Sequence, residues 1–95
     1  MTIRIACLVC DGEITDVINV TDIDHRRLLE TISGDKHTDN HIVDMLMTAK
    51  EHRGRVFFTE TELTYSEILA IRDESPSEFL SSLLDYSREI VNFER

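Results

Sequence analysis

Tryptophan is absent from this sequence, proline occurs once, cysteine twice and glycine three times. So little proline and glycine leaves no flexible linker and no low-complexity tract, and each segment has to be read from its periodicity and its caps. Two cysteines are too few for a disulfide framework. Cys7 and Cys10, three residues apart on an extended segment, are badly placed to bridge each other, so reduced thiols in a cytoplasmic setting are expected. No run approaches the roughly 18 uninterrupted apolar residues of a membrane span. The opening MTIRIACLVCDG has neither the basic stretch nor the cleavage site of a signal peptide. Positive charge is also scarce, with 10 Lys and Arg against 19 Asp and Glu and a net charge of −9. Such a surface repels phosphate backbones and anionic membranes, which argues against direct nucleic-acid or membrane binding.

What is present fits one domain, residues 1–95, with enough apolar side chains for a core. Asp11-Gly12 lies between two β-rich runs and supplies the two φ > 0 positions of a type I′ hairpin turn. An uninterrupted register places Val9 opposite Ile14, Ile5 opposite Ile18 and Ile3 opposite Val20 on one apolar face, which only Cys7 opposite Asp16 spoils. Helical stripes follow. The first starts near Asp22 and runs through Leu28, Leu29 and Ile32 to a stop at Gly34. The second runs from about Asn40 to Arg53, with Gly54 closing it. Residues 55–61, RVFFTET, read as a third strand. Thr64-Tyr-Ser-Glu67 is a capping box, and Ser75-Pro76-Ser77-Glu78 opens a last helix whose stripe extends from Phe79 through Leu83, Ile90 and Val91 to Phe93. The expected fold is α+β, a three-stranded antiparallel sheet of hairpin plus one strand with about four helices, in the order ββααβαα. The wide apolar helix faces exceed what three strands cover, which points to a homodimer.

Chemistry-bearing patterns are sparse. Cys7, Cys10, His37 and His41 together have the donor set of a structural zinc site, with 26 residues between the two pairs. On a regular strand, however, Cys7 and Cys10 face opposite ways, so no metal or other cofactor is assigned. His37, Asp39, His41 and Asp44 form a polar cluster, but no nucleophile motif, glycine-rich phosphate loop or H-E-x-x-H accompanies it, and the chain reads as a non-enzyme.

Residues 64–84, TYSEILAIRDESPSEFLSSLL, resemble a helix-turn-helix of the winged-helix type through Ser66-Glu67-Ile68, Ser75-Pro76-Ser77, Phe79 and Leu83. Asp73 and Glu74 depart from the turn glycine and the aliphatic residue usual in that family. The resemblance implies a transcriptional regulator. The outward positions are Ser77, Glu78, Ser81, Ser82, Asp85 and Glu89, with only Arg88 basic, where a helix meant for the major groove normally brings Arg, Lys, Asn or Gln to the bases. The residues therefore favour an acidic module that acts by protein–protein recognition, as a small inhibitor or nucleic-acid mimic directed at a basic surface. Asp11, Glu13 and Asp16 near the hairpin tip, with Glu60, Glu62 and Glu67 after the third strand, are its binding candidates. A helix-turn-helix regulator, a structural-zinc domain and a small-ligand sensor are the alternatives.

Overall fold

In a computed structural model, which describes residues 2–21, 26 and 40–94, the chain is α+β. Its elements are β1 (Ile3–Cys10), β2 (Glu13–Asn19), α1 (Asn40–Glu51), β3 (Arg55–Thr61), α2 (Tyr65–Glu74), α3 (Pro76–Tyr86) and β4 (Arg88–Asn92). The sheet is antiparallel and four-stranded, in the order β2-β1-β3-β4. This corrects the expected three strands and four helices. The described residues hold three helices, in the order ββαβααβ. Apart from Arg26, which is helical, the helix expected near Asp22 falls outside the described residues.

The error lay at the end of the chain. The stripe from Phe79 to Phe93 is not one helix, because α3 stops at Tyr86 and Ser87 is already extended, at φ −98° and ψ 158°. Ile90 and Val91 are β-branched, and their adjacent spacing fits a helical stripe as well as a strand. The strand wins because β-branched side chains fit a pleated surface and because β4 covers the edge of β3, pairing Val91 with Val56 and Asn92 with Arg55. Arg55 reinforces that pairing. Its guanidinium donates to both Glu89 carboxylate oxygens at 3.2 and 3.1 Å and lies 4.9 Å from the Phe57 ring centroid.

The hairpin forms as its turn dictates, with Asp11 at φ 53° and Gly12 at φ 75°, but its register is interrupted. Val9 faces Ile14 as expected; Leu8 then faces Asp16, Cys7 faces Val17 and Ala6 faces Ile18. Thr15 is the extra residue of a β-bulge. Because side chains alternate, a one-residue insertion moves everything beyond it to the other face. Cys7 thereby meets Val17 instead of a carboxylate, and Asp16 comes to lie exposed on the edge strand.

Both faces of the sheet are covered. On one, Ala6, Leu8, Val20, Val56 and Phe58 pack against Ile42, Met45 and Ala49 of α1. On the other, Ile5, Cys7, Val9, Val17 and Phe57 pack against Ile68, Phe79 and Leu83 of α2 and α3. The capping box at α2 is complete. Glu67 N–H donates to Thr64 Oγ1 at 3.2 Å, and Thr64 N–H donates to the Glu67 carboxylate at 3.1 Å. The Tyr65 hydroxyl then donates to the Val17 carbonyl at 2.6 Å, fastening α2 to β2.

At the end of α1 the glycine does not occupy the position expected. Gly54 N–H donates to the Ala49 carbonyl at 2.7 Å, a Schellman-type closure, yet the left-handed residue is Arg53, at φ 52°. Gly54 is used for proximity instead. A Cβ there would lie 2.7 Å from Cys10 Sγ and 2.9 Å from the Val9 carbonyl oxygen, so a side chain would push α1 and β3 away from β1. Gly54→Ala should therefore destabilise by about 1–3 kcal/mol, as over-packing does. Arg53→Gly should relieve roughly 1–2 kcal/mol of left-handed strain against about 0.5–1 kcal/mol of added backbone entropy, for a small net gain. Urea midpoints at unchanged m-value would read both effects, and a Gly54→Ala midpoint equal to that of the parent would contradict the close approach.

Candidate functional site

β3 is longer than the strand beside it. Its residues Arg55 to Phe58 pair with β4, but Thr59, Glu60 and Thr61 run on, paired only with Ile5, Arg4 and Ile3 of β1. In an antiparallel ladder each residue sends its N–H and C=O to one neighbour, and successive residues alternate. The Val20 N–H donates to the Arg4 carbonyl at 2.8 Å, so Arg4 addresses β2, and Ile3 and Ile5 address β3 through Thr61 and Thr59. At the other end Phe93 N–H donates to the Gly54 carbonyl at 2.8 Å, so the even-numbered residues of β3 address β4. Both arguments give Glu60 the same direction. Its backbone points to the β4 side, past the last residue of β4.

That edge, unpaired among the described residues, borders a groove of about 290 Å³. Ile5, Ile68, Ile71, Phe79 and Leu83 form its apolar part, and Leu63 and Tyr86 stand at its sides. Glu78, Ser82 and Tyr86 reach it from successive turns of α3, four residues apart and hence on one helix face. Tyr86 is 85% exposed, far more than an aromatic ring placed for core packing. Among the described residues that line it are two acidic ones, Glu60 and Glu78, and no Lys, Arg or His. By alternation with Phe58, the Glu60 side chain lies on the α1 face, beside Arg4. Arg4 instead directs its guanidinium to the Thr21 carbonyl at 2.7 Å. Among the described residues, no ion pair holds Glu60.

All six acidic candidates are exposed, and they do not form one patch. Asp11 and Glu13 lie at the hairpin tip, and Asp16 lies on the β2 edge opposite Leu8. Glu60 and Glu62 lie at the opposite end of β1, about 25 Å away by the rise of its eight residues. The Glu67 carboxylate accepts the Thr64 N–H in the capping box, which accounts for it structurally. Glu13 also borders a second, more polar hollow with Pro76, Ser77 and Leu80. Sequence reasoning missed Leu63, Glu78 and Tyr86 as groove residues. The adjacent Ile90-Val91 pair was the signal for β4, and without β4 the overhang of β3 does not exist.

On α1, Met45 and Ala49 are core, while Met47 is 58% exposed. α2 and α3 are separated by the single residue Ser75, whose side chain makes no capping hydrogen bond. Ser77, Glu78, Ser81, Ser82 and Asp85 are exposed along α3, whereas Glu89 belongs to β4. Cys7 and Cys10 lie on opposite faces of β1, one against α2 and α3 and the other toward α1. His37 and the side chain of His41 lie outside the described residues. Among the described residues, no group of three or more His, Cys, Asp or Glu is placed to hold a metal ion, and no helix is long and apolar enough to cross a membrane. Compared with known proteins, the chain matches no family model, no curated protein and no solved structure.

Burial sets the chemistry of Cys7. Desolvation, and then the Asp16 carboxylate, push its thiol from 9.0 up to about 12, only partly offset by Arg72. A buried thiol held protonated in this way is a poor nucleophile at neutral pH. A thiol-reactive probe should therefore modify Cys10 in the native protein and Cys7 only on unfolding. Below pH 9 both folded and unfolded thiols are protonated and Cys7 leaves stability unchanged. Above it only the unfolded thiol ionises, so stability falls as pH rises from 9.0 toward about 12. Cys7→Ala should flatten that part of the denaturation-midpoint curve, even though the smaller side chain lowers the whole of it. An unchanged slope would show that Cys7 is not buried as described.

Proposed function

We propose that this chain is a non-enzymatic, cytoplasmic binding module that recognises a basic segment of a partner protein, with the groove beside Thr59–Thr61 as its docking site. The observation that carries this reading is an apolar groove with Glu78 on its α3 wall and no cation among its described lining residues, beside a strand edge whose Glu60 carboxylate lies on the α1 face. On a chain of net charge −9, that arrangement favours cationic partners both at long range and in contact. A floor of aliphatic and aromatic side chains supplies the desolvated centre that an interface needs, and the exposed Tyr86 and Leu63 are the kind of residue that anchors one. An inhibitor or nucleic-acid mimic is this same module acting on a partner whose basic segment has another use.

The competing readings find less support. A DNA-reading α3 would have to approach phosphates with Glu78 and Asp85 on its exposed face. The groove volume falls just below the range of about 300–1,000 Å³ typical of small-molecule sites. Part of the apolar surface behind the homodimer expectation lies against the second sheet face, where α1 buries Ile42, Met45 and Ala49.

Titrating labelled peptides into the protein at low and high salt tests the reading. Basic–apolar peptides should bind and acidic ones of equal hydropathy should not. Reversal of Glu60 and Glu78 to Lys should weaken binding by about tenfold or more. Reversal of Asp11, Glu13 and Asp16, at the other end of the sheet and beyond a Debye length of about 8–10 Å, should change mainly the association rate at low salt. Equal binding of acidic and basic peptides, or indifference to Glu60 and Glu78 reversal, would refute the proposal.

A further inference from the structure

We infer that the partner segment binds as an added β-strand, continuing the sheet along Thr59–Glu60–Thr61 in line with β4, and that it carries an apolar–basic–apolar alternation centred opposite Glu60. This inference rests on the groove being a protein-binding site and adds the conformation and pattern of its occupant.

Three observations support it. The first is the backbone. Glu60 sends its N–H and C=O toward the β4 side, where the register of β4 ends at Arg88 opposite Phe58. Among the described residues, no hydrogen bond satisfies those groups. Beyond that point the chain leaves the sheet through Ser87 and Tyr86, and both residues line the groove instead of filling the strand position. An exposed, unpaired strand edge is a template for another extended chain, and main-chain pairing is a recognised route to peptide affinity.

The second is the alternation of faces. A residue paired with Glu60 places its side chain on the α1 face beside the unpaired Glu60 carboxylate, where opposite charges across a strand pair attract. Its two neighbours place theirs on the other face, beside Thr59 and Thr61, over Ile5, Ile68 and Leu83. The vacant position therefore calls for a cation between two apolar side chains.

The third is that the molecule already shows this solution on the other side of the same three residues. β1 presents Ile3, Arg4 and Ile5 to Thr61, Glu60 and Thr59, with Arg4 on the Glu60 face and Ile5 in the groove. An incoming Ile-Arg-Ile strand would repeat on the vacant edge the side-chain pattern that the fold uses on the occupied one. A second copy of this chain is a poor occupant, because two bodies of net charge −9 repel and β4 brings Glu89 to any such approach.

The test is a short fluorescent peptide with an Ile-Arg-Ile centre flanked by Thr and Lys, titrated into the whole chain by anisotropy. In the expected result, methylating the backbone nitrogen of the central Arg, whose N–H would bond Glu60, weakens binding at least tenfold. Methylating the nitrogen of a flanking Ile, whose N–H faces solvent, changes it less than threefold. The Glu60 amide, rapidly exchanging in the free protein, becomes protected in the complex. Glu60→Lys loses the peptide and binds its Ile-Glu-Ile counterpart, with thermal unfolding confirming that the variant is folded, and Glu60→Gln gives an intermediate loss. Binding indifferent to both methylations overturns strand addition while leaving the acidic groove as a docking site. Failure of every basic–apolar peptide to bind overturns the docking site as well.

Discussion

The structure depends on one constraint, the burial of β1 on both of its faces. Ile5, Ala6, Cys7, Leu8 and Val9 are consecutive, so they point alternately to opposite sides of the sheet, and all are sealed from solvent. A strand in that position cannot lie over a single core, and each neighbour must bring apolar groups to both sides. β3 does so with Phe57 on one face and Val56 and Phe58 on the other. β2, which lies at the edge and has a polar alternation of its own, does so through the Thr15 bulge. The inserted residue lets Ile14 and Val17 serve one core while Ile18 and Val20 serve the other, and it removes Asp16 from the position opposite Cys7. An unbroken ladder would have placed a carboxylate against a sealed thiol, and a buried charge without a partner costs far more than one bulge.

The same constraint fixes the helices. A two-sided sheet needs cover on both faces, and the covers differ in kind. α1 approaches through Gly54, close enough that the Cys10 sulfur and the Val9 carbonyl fill the space a side chain would take. That proximity explains why the turn after α1 places Arg53, not its glycine, in the left-handed conformation. On the other face α2 and α3 form a pair hinged at Ser75, seated by Ile68, Phe79 and Leu83 and tied to the edge strand by the Tyr65 hydroxyl. Their C-terminal end diverges from the sheet where β4 begins, and the groove is the space left between them.

Local rules written in the sequence were legible. The Asp11-Gly12 turn, the Thr64–Glu67 capping box and Pro76 at the first turn of α3 all follow from side-chain chemistry within four residues, and all are present. What was not legible depends on partners distant in sequence. Thr15 has nothing in its own chemistry to mark it as a bulge, since the advantage of the bulge lies in Cys7, Ala6 and two separate cores. The run Ile5–Val9 did carry the signal of two-faced burial, because continuous apolar residues in a strand imply cover on both sides. A hairpin register sorted to one apolar face passes over that signal. Ile90 and Val91 fit either period, and the decision came from the unpaired edge of β3, which no local pattern records. For the site, the acidic composition was legible and its geometry was not, because the role proposed for Glu60 rests on the direction of its backbone as well as on its charge.

The sheet edges bring these threads together. An unpaired edge invites association, and folds blunt it with bulges, short strands and charge. β2 carries its bulge at Thr15. β4 is five residues long and bulged between its pairings with Val56 and Phe57. The overhang at Thr59–Thr61 has neither device and relies on acidic side chains alone, Glu60 within it and Glu62 just beyond. Charge is a selective defence where a bulge is an indiscriminate one. It repels a second copy of an acidic chain and attracts a basic strand, so one feature supplies both terms of the difference in affinity that specificity requires. On the proposed reading, an edge protected in this way disfavours self-association and favours a partner of opposite charge.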